Sequence, residues 1–249
     1  MTKKIRILIY PLLVMGLLLA VSCRDDNNDD NNGNNNNNNN NDATTFTDSR
    51  DGNVYKTVKI GNQVWMAENL RYLPSVVPAA TSSTTDPYCY IYMYNGTDVS
   101  EAKATSNYTT YGVLYNWQAA KTASPAGWHL PSDAEWKELE KFLGMTEEQA
   151  NAYNWRGKNE GGKLKETGTT HWTTPNEGAT NESGFTALPG GLRNNQDRLL
   201  WNIRIAGYWW TATDQSDKAY YRSLVHYDST IFRGYDDKSH AYSVRCIKD

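Results

Sequence analysis

Residues 127–144 read GWHLPSDAEWKELEKFLG, and the fold turns on whether the acidic residues here serve a helix or a reaction. Ser132 followed three residues later by Glu135 is a capping box: the serine oxygen accepts the N3 amide proton and the glutamate accepts from the serine amide. Pro131 and Trp136 hold the two positions of a hydrophobic staple, and Asp133, at the first helical position, faces the positive end of the helix dipole. Trp136, Leu139, Phe142 and Leu143 recur at helical spacing as the stripe to be buried, and Gly144 stops the helix. Glu138, Glu140 and Lys141 are expected on the outside face. Each carboxylate has a helical role, and His129 reads as a hydrogen-bonded structural residue rather than a base. The segment is a scaffold helix.

Strands flank it on both sides. Asn53–Ile60 alternates, Gly61-Asn62 is a turn, and Gln63–Glu68 alternates again, which predicts a hairpin. Pro74–Thr110 is rich in Ser, Thr, Pro, Asn and Gly without a period and reads as a long loop. Val113–Lys121 then places Val113, Leu114, Trp117 and Ala120 at helical spacing and predicts a first helix. Tyr208–Thr213, Ala219–His226 and Ala241–Ile247 read as strands, with a turn-rich segment over Asp228–Ser239. Two helices on a mostly antiparallel sheet make an α+β fold.

The N-terminus is of another kind. Lys3, Lys4 and Arg6 precede an apolar run from Ile7 to Val21 that ends in Ala20-Val21-Ser22-Cys23, the order of a secretory signal over residues 1–22. The competing reading is a membrane anchor, but the run is shorter than the ~20 residues that cross a bilayer and contains Pro11. A cysteine directly after small residues resembles the lipobox of bacterial lipoproteins, although Ala20 stands where leucine is usual. That resemblance implies cleavage before Cys23 and its acylation, each buried methylene holding the chain to the membrane by about 0.8 kcal/mol. Arg24-Asp25-Asp26 then resembles the tag that directs such lipoproteins of the Bacteroidetes to the cell surface, so the expected location is the outer membrane, facing outward. Residues 23–43 are mostly Asn and Asp, with no apolar surface to offset ordering, and read as a flexible tether with an end-to-end distance on the order of 25 Å.

Residues 44–249 remain as one domain. With 25 Lys+Arg against 28 Asp+Glu there is no basic field, so nucleic acid is not an expected partner. The 17 Tyr and 9 Trp greatly outnumber the 4 Phe, and aromatics with a polar tip suit wet interfaces, though they also fill the core of a loop-rich domain. His129, His171, His226 and His240 lack the spacings of zinc sites, and no Gly-rich loop after a strand offers a phosphate cradle. No metal or cofactor is expected. An exported chain with two cysteines in its domain is a candidate for one disulfide, Cys89–Cys246, worth roughly 2–4 kcal/mol.

The blocks TVKIGNQVWMAENL, YGVLYNWQAA, GWHLPSDAEWKELEKFLG, GGKLKE, GFTALPGGLR, YWWTAT, AYYRSL and SVRCIKD resemble, in order, the Fibrobacter succinogenes major paralogous domain across residues 50–249. That family occurs in secreted and surface proteins and has no generally assigned activity. Family members often carry a further cysteine between the Cys89 region and the first helix; none stands there, which leaves open that Cys89 is unpaired. More distantly, Trp117, LPSDAEW at 130–136 and SVRCIKD resemble the formylglycine-generating enzymes, a variant of the C-type lectin fold. The resemblance implies two helices packed on a twisted antiparallel sheet, with the first and last strands side by side. Those enzymes bind copper through a closely spaced cysteine pair, since soft thiolates select Cu(I), and this chain has no such pair. The Glu-Pro-Asn or Gln-Pro-Asp loop of calcium-dependent lectins is also absent.

The expectation is therefore a non-enzymatic, surface-displayed recognition module for a glycan or protein. The alternatives are an oxidoreductase on the same fold and a structural or adhesion subunit. The lectin-like arrangement implies an open end made by Leu192–Ile205 and Tyr227–Ser239. There Arg193, Arg198, Arg204 and Arg233 would donate forked hydrogen bonds and Trp201, Tyr227 and Tyr235 would offer flat faces.

Overall fold

The computed structural model describes residues 44–249. Cys23, the signal segment and the tether lie outside the described residues. The chain opens with strands β1 (Thr44–Thr47), β2 (Val54–Ile60) and β3 (Gln63–Met66), then β4 (Cys89–Tyr90) and short helices α1 (Val99–Lys103) and α2 (Ser106–Tyr111). Next come β5 (Leu114–Asn116), α3 (Trp117–Ala123), β6 (Trp128–His129), α4 (Asp133–Phe142), α5 (Glu147–Asn151), β7 (Asn154–Arg156) and α6 (Glu160–Leu164). The last part is β-rich: β8 (Gly190–Arg193), β9 (Leu200–Ile203), β10 (Ala206–Gln215), β11 (Lys218–Val225), β12 (Ile231–Asp237), β13 (Ala241–Tyr242) and β14 (Ile247–Lys248). The fold is α+β, and among the described residues no helix is long and apolar enough to cross a membrane.

Two sheets form. The smaller runs β1-β2-β3-β14-β6, and the larger runs β4-β5-β13-β8-β10-β11-β12-β7 with β9 paired to β8. Ile247 sits between Trp65 of β3 and His129 of β6, so the C-terminal strand shares the sheet of the opening hairpin, as expected for Ile247. Ala241–Ile247, expected as one strand, is divided: Tyr242 pairs with Tyr115 in the larger sheet. Between the two strands Cys246 O accepts from the Met66 amide and Val244 O from the Leu70 amide, carrying the chain from one sheet to the other.

The α4 capping box forms as read, with the Ser132 oxygen accepting from the Glu135 amide at 3.2 Å and Glu135 accepting from the Ser132 amide at 2.7 Å. Trp136 packs against Trp65 at 5.1 Å and Phe185 at 5.7 Å between ring centroids, and Phe185 in turn meets Trp209 edge-on. Phe142, expected in this stripe, is 65% exposed. The first helix begins later than expected, because Asn116 caps α3 by accepting from the Ala119 amide while its own backbone ends β5. Asp228–Ser239 is no turn region either: Ile231–Asp237 forms β12, which pairs with β11 from Ser223 to Lys218.

Two kinds of buried charge hold these parts together. The first is an ion network under α4. Glu140 is 0% exposed and accepts from Arg156 Nη2 and Arg222 Nε, both at 2.6 Å. Asp133 accepts from Arg222 Nη1 at 2.9 Å and Arg233 Nη2 at 2.8 Å. Burial alone would raise the Asp133 carboxyl, but hydrogen bonds from Arg233 and the charges of both arginines hold it well below the usual carboxylate range. Glu140 is thus a core residue, not a residue of the outside face.

The second kind uses no carboxylate among the described residues. Lys165 Nζ donates to the carbonyls of Glu177, Val225 and Asp228 at 2.8, 3.0 and 2.9 Å. Arg193 donates to the carbonyls of Ala79, Thr81 and Ser239, at 2.9, 3.0 and 2.9 Å. Arg245 donates to the Met66, Phe185 and Thr186 carbonyls and to Asn69 Oδ1. All three side chains are fully buried, and each cation lies over a ring, of Trp172, Tyr90 and Phe185 respectively. Irregular backbone leaves buried carbonyls without ladder partners, and a cation with several donors satisfies them together. Burial pushes the Lys165 ammonium down to about 8 and the Arg245 guanidinium down to about 9.

Cys89 and Cys246 are buried free thiols rather than a disulfide. Cys89 lies in β4 beside Tyr115, while Cys246 Sγ is 3.4 Å from Ser124 Oγ. Burial pushes both thiols up to about 12.

Candidate recognition surface

The acidic residues around α4 are engaged in capping, ion pairs and hydrogen bonds. His129 sits between Glu135 Oε1 at 2.8 Å and Asp249 Oδ1 at 2.7 Å, tying the capping box to the end of the chain. Burial would lower this imidazole, but the two carboxylates raise it. Among the described residues no three of His, Cys, Asp and Glu converge as a metal centre.

The seven residues expected to bind ligand do not come together. Arg193 and Arg233 are buried: the first clamps loop carbonyls and the second closes the Asp133 network, because each faces the interior of its strand. Both are corrected from contact residues to internal supports. Arg198 and Trp201 stay at the surface. Arg198 lines a cleft of about 370 Å³ with Met93, Leu199 and Ala79, and Trp201, 47% exposed, donates from Nε1 to Asp197 Oδ2 at 2.8 Å. Arg204 is exposed and donates to Thr170 O at 2.9 Å. Tyr227 is 62% exposed.

Tyr235 belongs to a different group. It pairs with Tyr220 across β11 and β12, and Tyr153 stands at right angles to it at 6.1 Å. Arg233 lies 4.5 Å from the Tyr153 centroid and 4.8 Å from that of Tyr220, and Lys218 lies 5.5 Å from that of Tyr235. On this side of the sheet the ring faces are taken by the protein's own cations.

The other side differs. Side chains alternate along a strand, and directly opposed residues share a side, so the register Tyr208↔Ser223↔Phe232↔Trp155 is one row across β10, β11, β12 and β7. Tyr221, opposite Trp210 and Gly234, lies in the next row on the same side. Their rings touch in sequence: Trp155 to Phe232 at 5.3 Å, Phe232 to Tyr221 at 5.4 Å, and Tyr221 to Tyr208 at 6.2 Å. Trp210 and Tyr242, both buried, pack beside them on the same side, 6.4 Å and 5.0 Å from Tyr221, and Tyr242 stacks on one face of Tyr208 at 5.3 Å. Trp155 is 41% exposed and Phe232, Tyr221 and Tyr208 are half-buried.

Among the described residues no Lys or Arg lies over any of these four rings. The carboxylate within the group is Asp236, whose Oδ2 accepts from the Tyr242 hydroxyl at 2.9 Å and whose Oδ1 is 3.3 Å from His240 Nδ1. Asn202 Nδ2 donates to the Tyr208 hydroxyl at 2.9 Å. The surface can therefore present ring faces and hydroxyls. Sequence reasoning missed Trp155, Tyr208, Tyr221 and Phe232. The available signal was the pair of doublets Trp209-Trp210 and Tyr220-Tyr221: two adjacent aromatics in a strand must point to opposite sides, so both sides of this sheet carry rings.

No curated protein and no solved structure matches this chain. The sequence profile of the Fibrobacter succinogenes major domain matches residues 58–248, spanning the hairpin, the capped α4, the ring-bearing strands and the closing β14. The match takes in nearly the whole folded part, and the chain belongs to the Fibrobacter succinogenes major domain family.

Proposed function

We propose that the chain is a lipoprotein anchored through Cys23 at the outer face of the outer membrane, and that its domain is a non-catalytic recognition module of C-type lectin-like arrangement. The observation that carries recognition is the row Trp155–Phe232–Tyr221–Tyr208, exposed at Trp155 and partly exposed along the rest. A contiguous aromatic surface held by buried neighbours is what a binding face requires, since large rings bury much area at little entropic cost. The lectin-like reading is supported by α4 lying on the sheets and by the first and last strands sharing the smaller one. The anchoring reading is supported by the order of charged, apolar and small residues before Cys23 and by the Asn/Asp tract after it.

Two experiments test the reading. Cys23→Ala should abolish incorporation of labelled fatty acid and processing at that site; unchanged labelling rejects the anchor. A glycan and protein array probed with the purified protein should yield a ligand whose binding falls in Trp201→Ala and Trp155→Ala while Glu138→Gln binds normally. Equal binding by all three variants rejects the surface.

A further inference from the structure

We infer that the bare side of the sheet takes an uncharged glycan chain laid across the strands, an inference that rests on the recognition reading and narrows it to one ligand class. Three observations select that class. The same strands carry rings on both sides, but only on the Tyr153–Tyr220–Tyr235 side are the faces occupied by Arg233 and Lys218. The rings of Trp155, Phe232, Tyr221 and Tyr208 keep their negatively polarised faces free of cations, one face of Tyr208 being stacked on Tyr242, and such faces attract the weakly positive C–H groups on the flat side of a sugar ring.

Charge excludes the neighbouring classes. An acidic glycan, a phosphate or a nucleic acid needs a guanidinium or ammonium to meet it, and the basic residues of these strands, Arg156, Arg222, Arg233 and Lys218, point to the other side. Asp236 on the bare side would repel an anion. A compact cation is best held by rings converging on one point. These rings instead follow one another in steps of 5.3, 5.4 and 6.2 Å, so each meets a different part of an extended ligand. The steps are close to the spacing of the strands that carry the rings, ~4.8 Å, and comparable to one pyranose ring.

Polar groups complete the match. Tyr208 is fixed by Asn202, and the half-exposed carboxylate of Asp236 can accept from sugar hydroxyls beside the row. Gly234 sits in the row of Tyr221, where a Cβ would meet the Phe232 ring at 2.6 Å; any larger residue would displace that ring. The absent side chain keeps the Phe232 face in place between Trp155 and Tyr221.

The test uses the full-length protein in detergent, run by affinity electrophoresis in gels containing a linear neutral β-glucan, a linear mannan, a polygalacturonate or no polymer, with an oligolysine peptide as a soluble competitor. Retardation is expected with at least one neutral polymer and not with polygalacturonate, insensitive to oligolysine. Trp155→Ala should weaken it about thirtyfold, a hot-spot-sized loss. Trp155→Phe should restore most of it, and Tyr235→Ala on the occupied side should leave it unchanged. Because Trp155 is at the surface, its variants can be checked for an unaltered melting profile before use. Retardation by polygalacturonate, displacement by oligolysine, indifference to Trp155→Ala, or no retardation by either neutral polymer each overturns the inference. The recognition reading separately survives if an array ligand of another class loses binding in Trp155→Ala, and falls if no ligand does.

Discussion

Glu140→Gln should destabilise the protein by about 3–5 kcal/mol, the cost of removing one partner from a buried ion pair. The substitution keeps the side chain's shape and changes only charge and one donor. In the folded protein Glu140 receives Arg156 Nη2 and Arg222 Nε at 2.6 Å with no exposure to water. A glutamine amide would turn its own N–H groups toward one of those guanidinium groups, donor against donor. Arg156, Arg222 and Arg233 would then share a single buried carboxylate, Asp133. For a folded part of this size each kcal/mol moves the melting midpoint by about 2–4 °C, so a fall of roughly 10 °C is expected in calorimetry or circular dichroism. Glu138→Gln, two residues away on the same helix, is the control, and it should shift the midpoint by no more than about 2 °C. In a double-mutant cycle, Glu140→Gln with Arg156→Met should cost less than the sum of the single changes, because the second change removes the stranded charge. If Glu140→Gln melts within 2 °C of Glu138→Gln, the buried network is not a stabilising unit and the account of α4 is wrong.

Acid should act through Asp133: its depressed carboxyl contributes stability that is complete above the ordinary aspartate value near 3.8 and is lost as pH falls through that value toward the folded one. Urea titrations from pH 6 to pH 2 should show that loss, with a shallower slope in Asp133→Asn. Lys165→Met strands three carbonyls and should cost about 2–4 kcal/mol despite relieving a buried charge, as read from urea midpoints. Gly191 has φ +69°, and a Cβ there would lie 2.3 Å from Trp201 O. Gly191→Ala should therefore part β9 from β8 and release Trp201, seen as faster amide exchange over Leu200–Ile203. Thiol titration of the unreduced protein should find Cys89 and Cys246 unreactive when native and both reactive in denaturant, with a third thiol only where Cys23 is unacylated.

What could be read in advance was local. The Ser132/Glu135 box, the Gly61-Asn62 hairpin and, apart from the exposed Phe142, the Trp136–Leu139–Leu143 stripe depend on residues within one or two turns of each other, and these formed as expected. Glu140 was misplaced because a helical wheel knows only its own helix, whereas its partners lie in β7 and β11. Arg193 and Arg233 were misplaced for a related reason: an arginine in a Gly/Asp-rich stretch looks like surface until distant carbonyls or Asp133 come to meet it. Composition showed many polar-tipped aromatics, but the side of the sheet each ring takes is set by strand register, which depends on pairings across the chain.

The carbonyl-bound cations have a consequence for how this domain can change over generations. Because Lys165, Arg193 and Arg245 hold the backbone of the irregular segments and not their side chains, the path of those segments is specified from inside. Outward residues such as Met93, Arg198 and Thr169 bear little of that specification. Mutation can rewrite the exterior while the trace beneath it stays where the three cations fix it, so the outward face can diverge without the fold having to be solved anew.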